Sequence, residues 1–293
     1  MKLLTYKENG FERLGVVSQD GKMVYDLADI GLSFFNMNDL ISRITKEDQN
    51  KIYEFMQSPE NGIEYEKIEK CAPIPRPAQD IICLGINYSE HAVEAAHYEK
   101  EAFGGERVYP IYFSKRVNEA VPDGGFIESH ADIVERLDYE CELGVVIGKE
   151  AKNVSHDRAY DYVFGYTIIN DVSARKLQTR HKQWYFGKSL DNFTPMGPWI
   201  VTSDEIVGKP VLEIKSIVNK ELRQNSVTDH LIFDIAYVIS ELSQGMTLLP
   251  GTVIAMGTPA GVGMGFDPPK FLKKGDTVDC IIEKIGTLHN TVD

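Results

Sequence analysis

No stretch of the 293-residue chain holds the roughly 20 consecutive apolar residues that a membrane-spanning helix needs, which excludes an integral helical membrane protein. Basic residues are in short supply: 31 Lys and Arg face 44 Asp and Glu, for a formal net charge of −13. A nucleic-acid backbone is recognised by clustered Lys and Arg, so nucleic acid is not an expected partner. The same excess repels anionic membranes, and an anionic substrate then needs a local positive site, either a metal or a few placed basic residues. Cysteine is scarce as well. Cys71, Cys83, Cys141 and Cys280 show no C-x-x-C spacing and read as reduced thiols, not as a disulfide framework or a zinc site. The opening residues Met1 to Gly10 turn polar too early for a signal peptide, and the expected location is the cytoplasm. Internal repeats and low-complexity tracts are missing too.

What is present is an ordinary globular composition, 43% hydrophobic and 26% charged. The first 72 residues read as a small α+β domain. Phe11–Val17 and Met23–Leu27 flank an Asp20-Gly21 pair, a hairpin signal. Helical spacing follows at Met37–Ile44 and Lys46–Met56. Pro73-Ile74-Pro75-Arg76-Pro77 fits neither a helix nor a central strand and reads as a linker into a second domain, residues 73–293. There, Asp80–Gly85, Glu142–Gly148, Val163–Asn170, Leu212–Val218 and Thr277–Ile282 read as strands, and Ser89–Lys100 and Phe233–Leu242 as helices. Helices do not alternate with these strands, so the fold class is β-rich α+β and not a doubly wound sheet.

Chemistry concentrates in Asp138-Tyr139-Glu140-Cys141-Glu142-Leu143. On a strand, Glu140 and Glu142 point to one face and Cys141 to the other. Side-by-side like charges repel unless a cation neutralises them, and an all-oxygen donor set suits Mg²⁺, Mn²⁺ or Ca²⁺ better than zinc. Asp171 follows the apolar run Tyr166–Ile169 at a strand end and could complete the site from a neighbouring strand. On spacing alone, a solvated strand face explains Glu140 and Glu142 equally simply.

The motifs around this segment, taken in order, decide between those readings. Gly85-Ile86-Asn87-Tyr88-Ser89-Glu90-His91-Ala92-Val93-Glu94, the Asp138–Leu143 segment and Asn170-Asp171-Val172-Ser173-Ala174-Arg175 come first. Gly187-Lys188-Ser189-Leu190-Asp191, Pro195-Met196-Gly197-Pro198 and Gly257-Thr258-Pro259-Ala260-Gly261-Val262-Gly263 follow, then Gly275-Asp276 and Ile285-Gly286-Thr287-Leu288. From about Pro73 to Val292 the chain resembles the fumarylacetoacetate hydrolase family, bacterial members with an N-terminal appendage included. Thr194 stands where many members carry a cysteine.

The resemblance implies a mixed β-roll, a homodimer, and Glu140, Glu142 and Asp171 as ligands of Mg²⁺ or Mn²⁺, with Ca²⁺ as a further option. It implies that His91 and Glu94, three residues apart on the predicted helix, are catalytic on a mobile segment that closes over the metal. Gly104-Gly105 after that helix is compatible with such a lid. Lys188 is the third expected catalytic residue, a point charge beside the reacting oxygens. If the segment past Asp171 is helical, Asp171, Arg175 and Gln178 share one face. Arg175 could then grip a substrate carboxylate with two parallel hydrogen bonds, and Thr258 could donate its hydroxyl to one. His181, Lys182 and Trp184 are candidates for the pocket wall, with packing the simpler reading of Trp184. The implied activity is C–C bond cleavage in a small 2-oxo acid through a metal-chelated enolate. The substrate would be an acylpyruvate of the fumarylacetoacetate type, undergoing hydrolysis, or oxaloacetate, undergoing decarboxylation. The alternatives are a 2-hydroxyhepta-2,4-diene-1,7-dioate isomerase or decarboxylase of aromatic catabolism, and a non-catalytic metal-binding dimer.

Overall fold

The computed structural model describes residues 1–98 and 108–293. The chain opens with β1 (Lys2–Glu8), β2 (Phe11–Val17) and β3 (Met23–Asp26). Asn9 and Gly10, with φ of 52° and 80°, make the tight turn that sets Glu8 opposite Phe11. The expected hairpin around Gly21 is present, with Val17 opposite Val24. Helices α1 (Met37–Arg43) and α2 (Lys46–Phe55) follow. Thr45 and Asp48 form a reciprocal capping box at the start of α2. After β4 (Ile63–Glu64) and β5 (Glu69–Lys70) comes the proline-rich stretch. It is no loose tether. Residues from Cys71 to Pro75 are buried, and the Thr5 hydroxyl donates to the Pro73 carbonyl at 2.8 Å.

The remainder supplies β6 (Ile81–Gly85), α3 (Ser89–Tyr98), β7 (Ile111–Lys115), β8 (Phe126–Ile127), β9 (Leu137–Asp138), β10 (Cys141–Ile147) and β11 (Val163–Asn170). Next come β12 (Ser173–Ala174), α4 (Arg175–Arg180), α5 (Tyr185–Lys188), β13 (Met196–Thr202), β14 (Glu213–Val218) and β15 (Glu221–Val227). Helix α6 (Ile235–Gly245), β16 (Val253–Ala255), β17 (Thr277–Ile282) and β18 (Gly286–Val292) complete the chain.

Among the described residues, one large sheet runs β4-β3-β2-β1-β13-β11-β10-β16-β6-β7, with β5 beside β1. The N-terminal strands therefore continue the sheet that contains β10 and β11 through Lys2↔Val201 and Leu3↔Ile200. A second sheet runs β15-β14-β17-β18-β8. Strand period sorts the side chains. Leu143, Val145 and Ile147 face the second sheet, where Ile214, Val278, Cys280, Ile282 and Leu288 meet them. Val146 faces the opposite way, toward Leu3, Val16, Leu40, Ile41, Ile200 and Val253. Glu142 shares parity with Val146, so it too points away from the inter-sheet core. No helix of the described residues is long and apolar enough to cross a membrane.

Candidate active site

Strands β10 and β11 pair antiparallel with Cys141 opposite Asn170, which sets Asp171 beside Glu140 just past the paired ends. The Asp171 N–H donates to the Glu140 carbonyl at 2.9 Å, and the Asn170 side chain accepts from the Glu140 N–H at 3.0 Å. One carboxylate oxygen from each of Glu140, Glu142 and Asp171 lies within 4.8 Å of the others, and all three residues are buried. The two sequence expectations, a same-face pair and a strand-end third acid, are both met.

Cations surround this cluster unevenly. The Lys188 ammonium donates to Glu140 Oε2 at 2.8 Å and to Asp171 Oδ2 at 2.6 Å. Lys115 lies 2.8 Å from Asp171 Oδ1. Arg175 donates from Nε to Asp138 Oδ2 at 2.9 Å and from Nη1 to Glu140 Oε1 at 2.5 Å. Asp138, Glu140, Glu142 and Asp171 thus face Lys115, Arg175 and Lys188, leaving one buried negative charge in excess. The excess falls on Glu142, whose hydrogen bond comes from the Gly257 N–H at 2.8 Å. Burial, then Asp171 and Glu140, push its carboxyl well above the usual range. Burial also opposes ionisation of Glu140, but Lys188, Arg175 and His91 together hold it below that range. Three converging carboxylates with uncompensated charge and oxygen-only donors fit a hard divalent cation. Glu140, Glu142 and Asp171 are the residues that would hold it.

His91 and Glu94 form the expected pair on α3, with Nδ1 2.8 Å from Glu94 Oε2. Glu94 Oε1 accepts from the Gly261 N–H at 2.9 Å, so both carboxylate oxygens are engaged. With Nδ1–H donating to Glu94, the His91 Nε2 lone pair is left for the site. Gly265 makes room for this grip: a Cβ there would lie 1.7 Å from Glu94 Oε1. Gly257 is also specified by its backbone, with φ of 90° and an added Cβ only 2.8 Å from that of Asn87. Ile86, just before α3, holds φ of 52°, a strained conformation for a β-branched residue.

A small, partly enclosed cavity is lined by His91, Glu140, Glu142, Arg175, Gln178, Lys188 and Thr258. Trp184 is part of its wall, edge-on to Phe113 with centroids 5.2 Å apart, while His181 and Lys182 are exposed. Three expectations need correction. First, Asp171, Arg175 and Gln178 do not share a helix face. The chain is extended through β12, which pairs with β9, and helix begins only at Arg175. Second, the Arg175 guanidinium is not wholly free for a two-pronged grip on a substrate carboxylate, because Nε and Nη1 are engaged within the protein. It spans Asp138 and Glu140, and its Nη1 also donates to Gln178 Oε1 at 3.1 Å, leaving buried Nη2 without a partner among the described residues. Third, the Thr258 hydroxyl donates to the Cys141 carbonyl at 2.8 Å and accepts from Gln224 at 2.7 Å, so its one proton is committed within the protein. Gly104-Gly105 lies outside the described residues. Sequence reasoning missed the parts of Asp138 and Lys115. Asp138 accepts from Arg175 and from the Gly263 and Met264 N–H groups at 2.6 and 3.0 Å, tying the glycine-rich turn to Glu140 through Arg175.

The model of the fumarylacetoacetate hydrolase C-terminal domain matches residues 80–293. The chain belongs to that family, whose members are enzymes. Among its relatives is the oxaloacetate tautomerase YisK of Bacillus subtilis, 48% identical over 221 residues, which are 75% of this chain and 72% of that one. The solved fumarylacetoacetate hydrolase of Exiguobacterium antarcticum superposes with a TM-score of 0.83 at 35% identity, covering 100% of this chain and 99% of that one. A probable 2-hydroxyhepta-2,4-diene-1,7-dioate isomerase of Mycobacterium abscessus gives 0.77 at 27% identity, covering 100% and 98%.

Proposed function

We propose that this chain is a Mg²⁺- or Mn²⁺-dependent enzyme of small 2-oxo dicarboxylates of the oxaloacetate class. Its central step is proton movement at the carbon beside the 2-oxo group. One observation carries the reading: a carboxylate-backed imidazole lines the same small cavity as Glu140 and Glu142, two members of the buried triad of acids. A bound divalent ion would act as a Lewis acid, lowering the cost of negative charge on the 2-oxo oxygen. Every other role belongs to the chain. His91 Nε2 takes a proton from the adjacent carbon, and Glu94 stabilises the imidazolium. Arg175 Nη2 offers a free donor for a substrate carboxylate. Returning the proton to oxygen or carbon completes a tautomerisation, the activity named for the Bacillus subtilis relative.

C–C cleavage is the second reading. There the same dyad activates water against an acylpyruvate, or oxaloacetate loses CO₂. The hydrolase named among the solved structures favours keeping it. The test supplies Mn²⁺ and follows enol absorbance, CO₂ release and acetylpyruvate loss in parallel. Acceleration of oxaloacetate enol–keto exchange above the other two is expected. His91→Ala should lower kcat by roughly 10²- to 10⁴-fold, with Mn²⁺ affinity within about twofold of the parent. If no reaction responds to enzyme and metal, or if His91→Ala retains full rate, the reading falls.

A further inference from the structure

Lys115 ends β7 and is 0% exposed, an unusual place for an ammonium. Its ammonium donates to the Val172 carbonyl at 3.1 Å and to the Lys188 carbonyl at 2.5 Å. It also forms an ion pair with Asp171 Oδ1 at 2.8 Å. One buried cation therefore touches the third carboxylate of the triad, the backbone next to it, and the backbone of the lysine that bridges Glu140 and Asp171. Among the described residues Asp171 has no other cation at Oδ1, and Lys188 sits at the end of α5, a helix of four residues that cannot fix its own terminus.

We infer that Lys115 is a positioning residue for the metal site, holding Asp171 and Lys188 in mutual register so that the triad binds a divalent ion. The inference rests on the triad being a metal site, and it goes beyond that reading by assigning affinity to a residue that touches neither metal nor substrate. Two simple pictures of Lys115 give opposite signs. If it acted only as a nearby positive charge, removing it would relieve repulsion and tighten cation binding. If it acts as a positioner, removing it loosens Asp171 and leaves two buried carbonyls unserved, and binding weakens although the site becomes more negative.

Mn²⁺ titration of the full chain by calorimetry separates them, because it reads binding without turnover. Lys115→Met should weaken Mn²⁺ about 10- to 100-fold, the range typical of groups that orient a metal ligand. Lys115→Gln keeps amide donors for the two carbonyls but not the charge toward Asp171, and should fall between Lys115→Met and the parent. If Lys115→Met does not fold, Lys115→Gln alone decides. Unchanged or tighter Mn²⁺ binding in a folded variant overturns the inference. Glu142→Gln is the control: if it binds Mn²⁺ like the parent, the metal-site reading itself has failed, independently of Lys115.

Discussion

Glu142 pays the electrostatic cost of the site. Glu140 and Asp171 each face two cations, whereas Glu142 has the Gly257 N–H, and its neighbours of like charge make ionisation costly. Two effects of opposite sign follow for Glu142→Gln. On the metal-binding role proposed above, Mn²⁺ affinity falls at least about 100-fold, the upper end of what losing a group behind a ligand costs, since a carboxylate oxygen loses its charge. In chelator, the variant melts higher than the parent by about 2–4 °C per kcal/mol of repulsion relieved. Calorimetry and thermal melts in EDTA check both, and a lower metal-free melting temperature would contradict this account. The same residues show what was legible in sequence. Glu140 and Glu142 were readable because strand period is fixed, and Asp171 because an apolar run announced a strand end. The partners of Arg175 were not, because the β12–β9 pairing delays the helix start past Asp171, and no local pattern signals that. Nor was the commitment of the Thr258 hydroxyl, which depends on Gly257 and Thr258 running beside the start of β10. Lys115 carries no local signal of burial at all; only the strand order brings it against Asp171.

Among elements, β13 was hidden by its own proline. Met196–Thr202 contains Pro198, which argues against a central strand, yet β13 lies between β1 and β11. Its register against β11 shifts between Tyr166 and Ile168, and the Thr167 hydroxyl donates to the Trp199 carbonyl at 2.9 Å. That irregularity is how the sheet accommodates a residue with no N–H. Strands with clean alternation and no proline, such as Thr277–Ile282, were readable to the residue. Helix α2 docks through a polar contact: the Tyr53 hydroxyl donates to Asp204, just past β13. Burial works against the Asp204 carboxylate, but hydrogen bonds from Thr202 and Tyr53 hold its pKa below the ordinary value. A carboxyl depressed in the folded state adds stability above its unfolded pKa, and that contribution disappears as pH falls through the folded value. Tyr53→Phe should therefore lower stability at neutral pH and flatten the acid limb of a melting-temperature profile below about pH 4. An unchanged acid limb would show that this contact does not couple α2 to the sheet.

At the scale of the whole molecule, the N-terminal strands are part of the sheet that carries the site. Leu3, Val16, Leu40 and Ile41 are buried in one cluster with Ile200, Val253 and Ala255. A chain begun at Pro73 would expose the β13 edge and this apolar face together. It is expected to aggregate or to lose cooperative unfolding, read by size-exclusion chromatography and thermal melts beside the full chain. A monodisperse fragment with parental Mn²⁺ affinity would show the appendage to be dispensable.

The pairing of Lys2 with Val201 also sets a clock. At roughly 5–20 residues per second, the ribosome takes on the order of 10–40 s to deliver β13 after β1 has emerged. For that interval β1 can pair with β2 and, at Tyr6 and Lys7, with β5, while the Lys2 and Leu3 positions on the β13 side have no strand to pair with. Synthesis, not diffusion, therefore limits how soon the large sheet can close, and a nascent-chain holdase acting on the first strands is the factor to which yield of this protein should respond.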